Sequence, residues 1–406
     1  MLLFTVRNTD LNIFDKKIDS SLHLLNTSLS FQIYTATAQL PEDWDLLSDT
    51  VFLQRRYLQL LETSAPENMK CHFIGLFQDQ ELVGIALTQF IDLSQVESFG
   101  DRDSCIKTKI RNLVFKNFSS NVLFVGNNML TGQNAFAFSD AISETAGLQL
   151  LHRAAEAVKK MVTKTCSKVH LTVWKDFTSE QALGFKIPEF KGFYQFSTQP
   201  NMVFEIRKNW FSFDNYIESL SKKYRDQYKR ARKKSESVTK RKMSLDEIIH
   251  YNPAISELYQ TVSQNASFNT FYLPKDHFIT FKKLLGDQFL FYGYFDGEKL
   301  IGFNTLIKNG SDIDTYFLGY DDQCQREKML YLNMLYDMVA YSINKGYSQV
   351  IFARTALEIK SSVGAKPVKM FGFIRHNNRL LNYFMPRFFK YFEPETIWNE
   401  RNPFKN

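Results

Sequence analysis

The sequence predicts an α/β protein of two similar units, each with a mixed, mostly antiparallel sheet flanked by helices. Segments 75–84 and 293–302 match, since both read as a glycine-led strand, a polar turn and a second strand that reaches a glycine. Later in each half, over 147–174 and 330–354, an amphipathic helix runs into a β-rich strand. Agreement in the order of elements strengthens the case for a repeat, because distant repeats share few identical residues.

The two units differ in their turns and in length. Turn 78–81 is Gln-Asp-Gln-Glu, whereas turn 296–299 contains Asp-Gly, a pair typical of β-hairpins. The first unit has more residues between its hairpin and its later strand, so we expect an insertion at about 92–121. A β-rich segment then ends the first unit. We predict an N-terminal unit over 1–208 and a C-terminal unit over 209–406.

Composition narrows the class of protein. Of 406 residues, 44% are apolar and 23% are charged, which excludes a disordered chain, a collagen and a coiled-coil rod. The four cysteines form no CxxC pair, so we expect reduced thiols and no metal site. No apolar run is long enough for a membrane span, and the N-terminus lacks the pattern of a secretory signal. These features predict a cytoplasmic protein.

Positive charge is concentrated in one segment. The net charge is +7, and residues 222–242 hold 11 lysines and arginines against Asp226 and Glu236. A helix is predicted over 220–234, where glycine and proline are absent. The segment is either a solvated basic face or a site for phosphates, as in a nucleotide, a tRNA, a phosphosugar or an anionic lipid.

The predicted basic helix has two distinct faces. Tyr224, Tyr228 and Ala231 recur at helical spacing, and we expect them to pack inward. Arg225 and Lys229 fall on a neighbouring face. We predict that these two cations bind the anionic part of a substrate.

Three stretches of the sequence resemble a known family. They are the basic helix at 224–234, the stretch RTALEIKSSVGA at 354–365, and the tail from 373 to 405. With the order of elements, they resemble the GNAT fold of N-acyltransferases. The tandem units resemble the FemAB-like group, which includes a branch named for peptidoglycan biosynthesis or recognition. The resemblance implies transfer of an acyl or aminoacyl group to an amine, with acyl-CoA or aminoacyl-tRNA as the donor.

The sequence departs from this family in the loop that would hold the donor's phosphates. Typical GNAT enzymes bind the CoA pyrophosphate with a glycine-rich loop that opens a helix. The matching stretch, 321–329, has no glycine, so Gln325, Arg326 and Lys328 are the candidate cofactor-binding residues. In the first unit, 126–134 is small and polar enough for a ligand loop. The departure keeps aminoacyl-tRNA open as the donor beside acyl-CoA.

Polar residues follow the predicted strand at 350–353, where the resemblance places the active site. Glu358 is the candidate general base. Arg354 and Lys360 are candidates for binding a phosphate or a carboxylate of the substrate. The alternative for each of the three is an ion pair at the surface.

Other candidates lie on other strands. Tyr320 ends a predicted strand and could protonate a leaving thiolate or hold the substrate, with an ordinary strand aromatic as the alternative. His376 is a candidate substrate-binding residue, with a structural hydrogen bond as the alternative. In the first unit, Trp174 and Asp176 occupy the matching strand end, and we expect Trp174 to pack in the core.

The tail at 378–392 is aromatic with interspersed cations. It either packs across the two units or rests on a membrane surface. We expect Pro386 to prevent a single helix there, because proline lacks the backbone donor.

Three hypotheses of function follow. The first is an N-acyltransferase that uses acyl-CoA and acts on a small-molecule or cell-wall-precursor amine. The second is an aminoacyl-tRNA-dependent transferase acting on a cell-wall precursor, with the tRNA held by the basic helix. The third is a non-catalytic binder of anionic ligands that keeps the fold without the chemistry.

Overall fold

The computed structural model describes residues 28–95, 119–265, 269–392 and 398–405. Residues 96–118, which make up most of the predicted insertion, lie outside the described residues, as does the N-terminus up to residue 27. Within the described ranges, thirteen strands form one sheet.

The strands have the following bounds: β1 (Leu29–Tyr34), β2 (Met69–Gln78), β3 (Glu81–Asp92), β4 (Asn121–Val125), β5 (Phe136–Phe138), β6 (Leu171–Phe177), β7 (Tyr194–Glu205), β8 (Val238–Lys242), β9 (Phe289–Asp296), β10 (Lys299–Asn309), β11 (Asp312–Tyr320), β12 (Gln349–Ala353) and β13 (Lys366–His376). Their order across the sheet is β1-β2-β3-β4-β6-β13-β7-β12-β11-β10-β9-β8, with β5 pairing to β3.

The helices that flank the sheet are α1 (Arg55–Ser64), α2 (Glu144–Thr165), α3 (Phe213–Ser219), α4 (Lys222–Lys234), α5 (Leu245–His250), α6 (Asn252–Gln264), α7 (His277–Leu285), α8 (Asp322–Lys328), α9 (Leu330–Asn344), α10 (Leu357–Ser362) and α11 (Arg379–Phe392). In the described part of the chain, no helix has the length and apolar character needed to cross a membrane.

Both predicted hairpins are present. Strands β2 and β3 are joined through Asp79 and Gln80, whose φ angles of 49° and 74° suit the tight turns that connect twisted strands. Strands β9 and β10 are joined through Gly297, whose φ is 60°. The helices and strands predicted to follow each hairpin are α2 with β6 in the first half and α9 with β12 in the second.

The two halves of the chain share their sheet through β7 and β13. Strand β7 comes from the first half, yet it pairs with β12 of the second half, with Glu205 opposite Gln349. Strand β13 comes from the second half, yet it pairs with β6 of the first, with Phe373 opposite Trp174. Strands β7 and β13 also pair with each other. Each half therefore contributes one strand to the sheet of the other. The division of the chain into two units at residue 208 stays a prediction.

Helices from the two halves also pack together in one apolar core. The rings of Tyr57 on α1 and Phe281 on α7 lie 6.1 Å apart, centroid to centroid. Both side chains are fully buried within a cluster that draws residues from both halves. Trp174 is fully buried as well, as expected for a core residue.

The basic helix α4 packs as its two faces predict. Tyr224 and Ala231 are buried, and the ring of Tyr228 contacts that of Tyr336 on α9. On the neighbouring face Lys229 is exposed, whereas Arg232 is half-buried and pairs with Asp337 at 2.7 Å.

The expectation that Pro386 prevents a single helix is wrong, because α11 continues through it from Arg379 to Phe392. The proline is exposed and Met385 beside it is buried, so the ring is accommodated on the outer side of the helix.

Candidate functional site

The ends of two equivalent strands meet at the junction of the halves. Asp176 lies in β6 and Arg354 follows β12, and their side chains form an ion pair across the intervening strands. Asp176 also pairs with its neighbour Lys175. The Asp176 side chain is fully buried, whereas 27% of the Arg354 side chain is exposed. One buried carboxylate thus joins two cations, and one of these cations reaches solvent.

Lys175 anchors the small polar loop of the first half. Its Nζ donates to the carbonyl oxygens of Asn127 and Leu130, each at 3.0 Å. Burial and the nearby Arg354 lower the pKa of Lys175 well below its usual range. The backbone amide of Asn128 is engaged by Gln89 Oε1 at 2.6 Å. The loop at 126–134 therefore directs the carbonyl groups of Asn127 and Leu130 at a lysine of the protein.

The backbone around Arg354 adopts an unfavourable conformation. Ala353, Thr355 and Ala356 have φ angles of 59°, 67° and 48°, in the left-handed region that non-glycine residues seldom occupy. Asp176 has a φ of 69°. Such strain persists only where the surroundings impose it, and it clusters at functional sites. The strained loop is at the surface, with Thr355 and Ala356 exposed.

Lys360 was predicted to bind substrate, but the structure turns it inward. Its Nζ donates to the carbonyl oxygens of Phe352 and Arg354, both at 2.6 Å, and to that of Ala353 at 3.3 Å. The residue is 4% exposed, and burial lowers the pKa of its ammonium to about 7. Lys360 thus holds the strained loop in place and does not reach a ligand itself.

Glu358 lies in the first turn of α10 and contacts the C-terminal segment. Its carboxylate accepts from Arg401 Nη2 at 2.8 Å and from the backbone amide of Asn399 at 3.4 Å. Both partners belong to the C-terminal segment. The side chain therefore forms the surface ion pair that was its alternative interpretation, and its role as a general base stays a prediction.

Tyr320 lies beyond the point where two parallel strands separate. Strands β11 and β12 pair only from Asp312 to Asp314, after which β11 continues alone beside β10. Tyr320 is half-buried with its ring 6.1 Å from that of Tyr331, and burial raises its pKa, with Asp322 adding to the effect. A raised pKa keeps the phenol protonated, as an acid would need to be.

The structure places His376 away from the junction. It pairs with Leu171 at the start of β6, whereas Asp176 is near the end of that strand. The residue is buried, and its Nδ1 accepts from the backbone amide of Asn378 at 2.9 Å. His376 thus makes the structural hydrogen bond that was its alternative, and its contact with a substrate stays a prediction.

The two cations predicted to bind substrate from α4 differ in position. Arg225 is half-buried and donates to the carbonyl oxygen of Leu220, so it fixes the start of its own helix. Lys229 is exposed and stays a candidate for an anionic ligand.

The residues predicted to bind a cofactor lie on α8, whose first turn is already capped. The Asp321 carboxylate accepts from the backbone amides of Gln323 and Cys324, both at 3.0 Å. A carboxylate in this place repels a phosphate. Lys328 pairs with Asp296 at 3.0 Å, while Gln325 is half-buried and Arg326 is exposed. The helix start is therefore not an open cradle for a pyrophosphate.

Sequence reasoning missed two buried charged groups, one at the junction and one on β11. It noted Asp176 but not its partner Lys175, although two adjacent charges inside an apolar strand were a signal. It also missed Asp314 on β11, which is 7% exposed and accepts from Asn309 Nδ2 at 3.1 Å. Burial raises the pKa of Asp314 to about 7. Its sequence context, a polar residue in a strand, gives no sign of burial.

Comparison with known proteins shows which solved structures have a similar fold. No family model matches the chain, and no curated protein matches it in sequence. The crystal structure of FemX matches 81% of this chain and 93% of its own, with a TM-score of 0.51 and 12% sequence identity. The chain has a GNAT-like fold. At this identity, the likeness to FemX concerns the fold and not the substrate.

Two other solved structures match over most of their length, at lower TM-scores. A tandem GNAT protein from the clavulanic acid biosynthesis pathway covers 86% of this chain and 99% of its own, with 10% identity and a TM-score of 0.49. L-PGS from Bacillus licheniformis covers 83% and 96%, with 11% identity and a TM-score of 0.44.

Proposed function

We propose that the protein is a transferase that moves an acyl group from an activated donor to an amine. The observation that supports this most is the pairing of Arg354 with Asp176, in a strained and partly exposed loop of a GNAT-like fold shared with FemX. Fixed cations at a strand end suit the binding of a group that becomes negative during the reaction.

The reaction makes and breaks one bond at a carbonyl carbon. The unprotonated amine attacks the carbonyl carbon of a thioester or an ester, and a C–N bond forms. The C–S or C–O bond then breaks, and the leaving group takes up the proton that the amine gives away. The protein must therefore orient two substrates and stabilise the carbonyl oxygen as it gains charge.

Arg354 is the residue we assign to this stabilisation. Its guanidinium is held from one side by Asp176, while about a quarter of the side chain, 27%, remains exposed to a ligand. Lys360 holds the backbone of Arg354 in place by a hydrogen bond to its carbonyl oxygen. Tyr320, whose phenol stays protonated, is the candidate proton donor for the leaving group.

The donor we propose first is acyl-CoA, and the acceptor is a small-molecule or cell-wall-precursor amine. A second candidate is aminoacyl-tRNA, favoured by Asp321, because its carboxylate fills the helix start that would otherwise bind the CoA pyrophosphate. The exposed cations of α4, such as Lys229, would then contact the tRNA backbone. A cytoplasmic location suits both donors.

The test is a paired donor assay on the full chain. Acetyl-CoA, a long-chain acyl-CoA and alanyl-tRNA are each incubated with lysine, glucosamine or a muramyl peptide, and release of free CoA or deacylated tRNA is measured. We expect release with one donor class and one acceptor. Arg354→Gln should lower the rate at least about tenfold, and the exposed Arg153→Gln on α2 should not.

Each outcome separates the candidates. CoA release supports the first donor and tRNA deacylation the second. Failure of all donors to react or to raise the melting temperature, at ligand concentrations far above micromolar, would contradict a transferase and leave a non-catalytic binder of anionic ligands.

A further inference from the structure

A groove lined by residues of both halves lies away from the Arg354 junction. It is formed by the end of β7, the start of β13 and the C-terminal segment at 400–405, and its volume is about 650 Å³. This is within the range of small-molecule sites. Gly364 forms part of its floor, with a φ of 107°.

The walls of the groove are fixed by backbone hydrogen bonds. Ser221 at the start of α4 donates its amide to the carbonyl of Pro403 at 2.8 Å, and Lys405 donates its amide to Ser219 at 3.0 Å. Arg401 donates its amide to Ser361 Oγ at 3.1 Å. The C-terminal segment is therefore held in place by hydrogen bonds where it lines the groove.

The charges that line the groove are mostly positive. The acids are Glu205 and Glu400, and the cations are Arg207, Lys208, Lys366, Arg401 and Lys405. Among the described residues, Arg401 is the member of this set that has a carboxylate partner within ion-pair distance, Glu358 at 2.8 Å. The other cations repel one another in the same groove, and an anion bound between them would relieve that repulsion.

Arg207 is oriented by aromatic rings. Its guanidinium carbon lies 4.2 Å from the ring centre of Phe404 and 4.9 Å from that of Trp210. Such stacking holds the planar fork in one orientation, so less entropy is lost when it binds a phosphate. A second cavity of about 320 Å³ adjoins the first, and Arg207 and Lys405 line both.

We propose that this groove is a binding site for a small molecule that carries a diphosphate. Arg207 and Lys405 stand between the two cavities, where two linked phosphate groups can share them. Lys366 and Lys208 complete the positive lining on the side of the larger cavity. Arg guanidinium groups bind phosphate with two parallel hydrogen bonds, and lysines add point charges.

The site goes beyond the proposed transferase function. Its strand residues Glu205 and Val203 lie opposite Gln349 and Ile351 of β12, whereas Arg354 follows the C-terminal end of that strand. A diphosphate bound here does not need the Arg354 junction. Loss of binding in the groove and loss of acyl transfer at the junction are therefore separate outcomes.

The test is calorimetric titration of the full chain with inorganic pyrophosphate, orthophosphate and a short single-stranded RNA, all at one ionic strength. We expect saturable pyrophosphate binding at one site, at least about tenfold tighter than orthophosphate. The variant Lys366→Gln/Lys405→Gln should weaken pyrophosphate binding at least about tenfold. Both lysines are exposed, so the fold should tolerate the change.

Lys345→Gln is the matched control, because Lys345 is an exposed cation of the same half that does not line the groove. It should leave the dissociation constant unchanged. Absence of pyrophosphate binding, or equal weakening by Lys345→Gln, would overturn the proposal. Tighter binding of RNA than of pyrophosphate, with a steep dependence on salt, would overturn it in favour of a nucleic-acid surface.

Discussion

The guanidinium of Arg354, which follows β12, pairs with the carboxylate of Asp176 in β6, and the two residues come from opposite halves of the chain. The pair is the one ionic link that the structure shows between the matching strand ends, counting described residues only. Because Asp176 also pairs with the buried Lys175, it links that lysine to the strained loop that carries Arg354.

Removing the shared carboxylate should destabilise the protein strongly. Asp176→Asn leaves Lys175 and Arg354 without their counter-charge, and Lys175 is buried. Breaking such a buried pair typically costs about 3–5 kcal/mol of unfolding free energy. Urea denaturation of Asp176→Asn, Arg354→Met and the double variant measures it. Lys299→Met, which breaks an exposed pair with Asp321, is the control and should cost less than about 1 kcal/mol. Additive effects of the two junction variants would contradict direct coupling.

Lys360 should make stability depend on pH above neutrality. Burial lowers the pKa of Lys360 to about 7, against 10.5 ordinarily, so between these values the unfolded chain binds more protons than the folded one. Stability then rises with pH across this window, and the penalty is fully present below about pH 7. The unfolding free energy of the wild type relative to Lys360→Met should therefore increase from pH 7 to 10. A difference that stays flat would mean that the three carbonyl acceptors offset the burial.

His277 should contribute to loss of stability in acid. Its Nδ1 faces the carbonyl oxygen of Ser64 at 3.2 Å, so that nitrogen carries the proton, and its Nε2 lies 3.0 Å from the hydroxyl of Tyr316. Burial lowers the pKa of His277 to about 3, from 6.5. The folded state therefore resists protonation, and stability is lost as the pH falls from 6.5 towards 3. His277→Gln should reduce the slope of unfolding free energy against pH by up to about 1.4 kcal/mol per unit. An unchanged slope would show that another group titrates.

Gly364 should be intolerant of a side chain for two separable reasons. Its φ of 107° disfavours any other residue, and a Cβ there would overlap the ring of Phe404. Gly310 has a positive φ of 57° but open space around it. Gly310→Ala should thus cost about 1 kcal/mol for the backbone alone, and Gly364→Ala about 1–3 kcal/mol more, for the overlap and for its less favourable φ. Equal losses in thermal denaturation would mean that the C-terminal segment moves away at no cost.

The sequence predicted local elements well and long-range partners poorly. The hairpins, α2, α9 and the two faces of α4 follow from periodicity and turn chemistry, which act between neighbours in the chain. The placement of β13 between β6 and β7 has no local signal, because any strand edge offers the same backbone groups. The pairing of β7 with β12 likewise has no local signal in the sequence.

Side-chain roles at the site were harder to predict for a related reason. Lysines are seldom buried, so a residue such as Lys360 is read as exposed unless the surroundings are known. Three carbonyls from one strained loop draw it inward, and that loop conformation is visible only in the structure. Glu358 pairs with Arg401, which is 43 positions further along the chain.

The exchange of β7 and β13 has a consequence for how the chain is made. A ribosome releases β6 long before it has synthesised residues 366–376, which form the neighbour of that strand. While the intervening chain is synthesised, the edge of β6 lacks its native partner, and such an edge is a template for pairing with other chains. The nascent first half is therefore open to such pairing until residues 366–376 emerge.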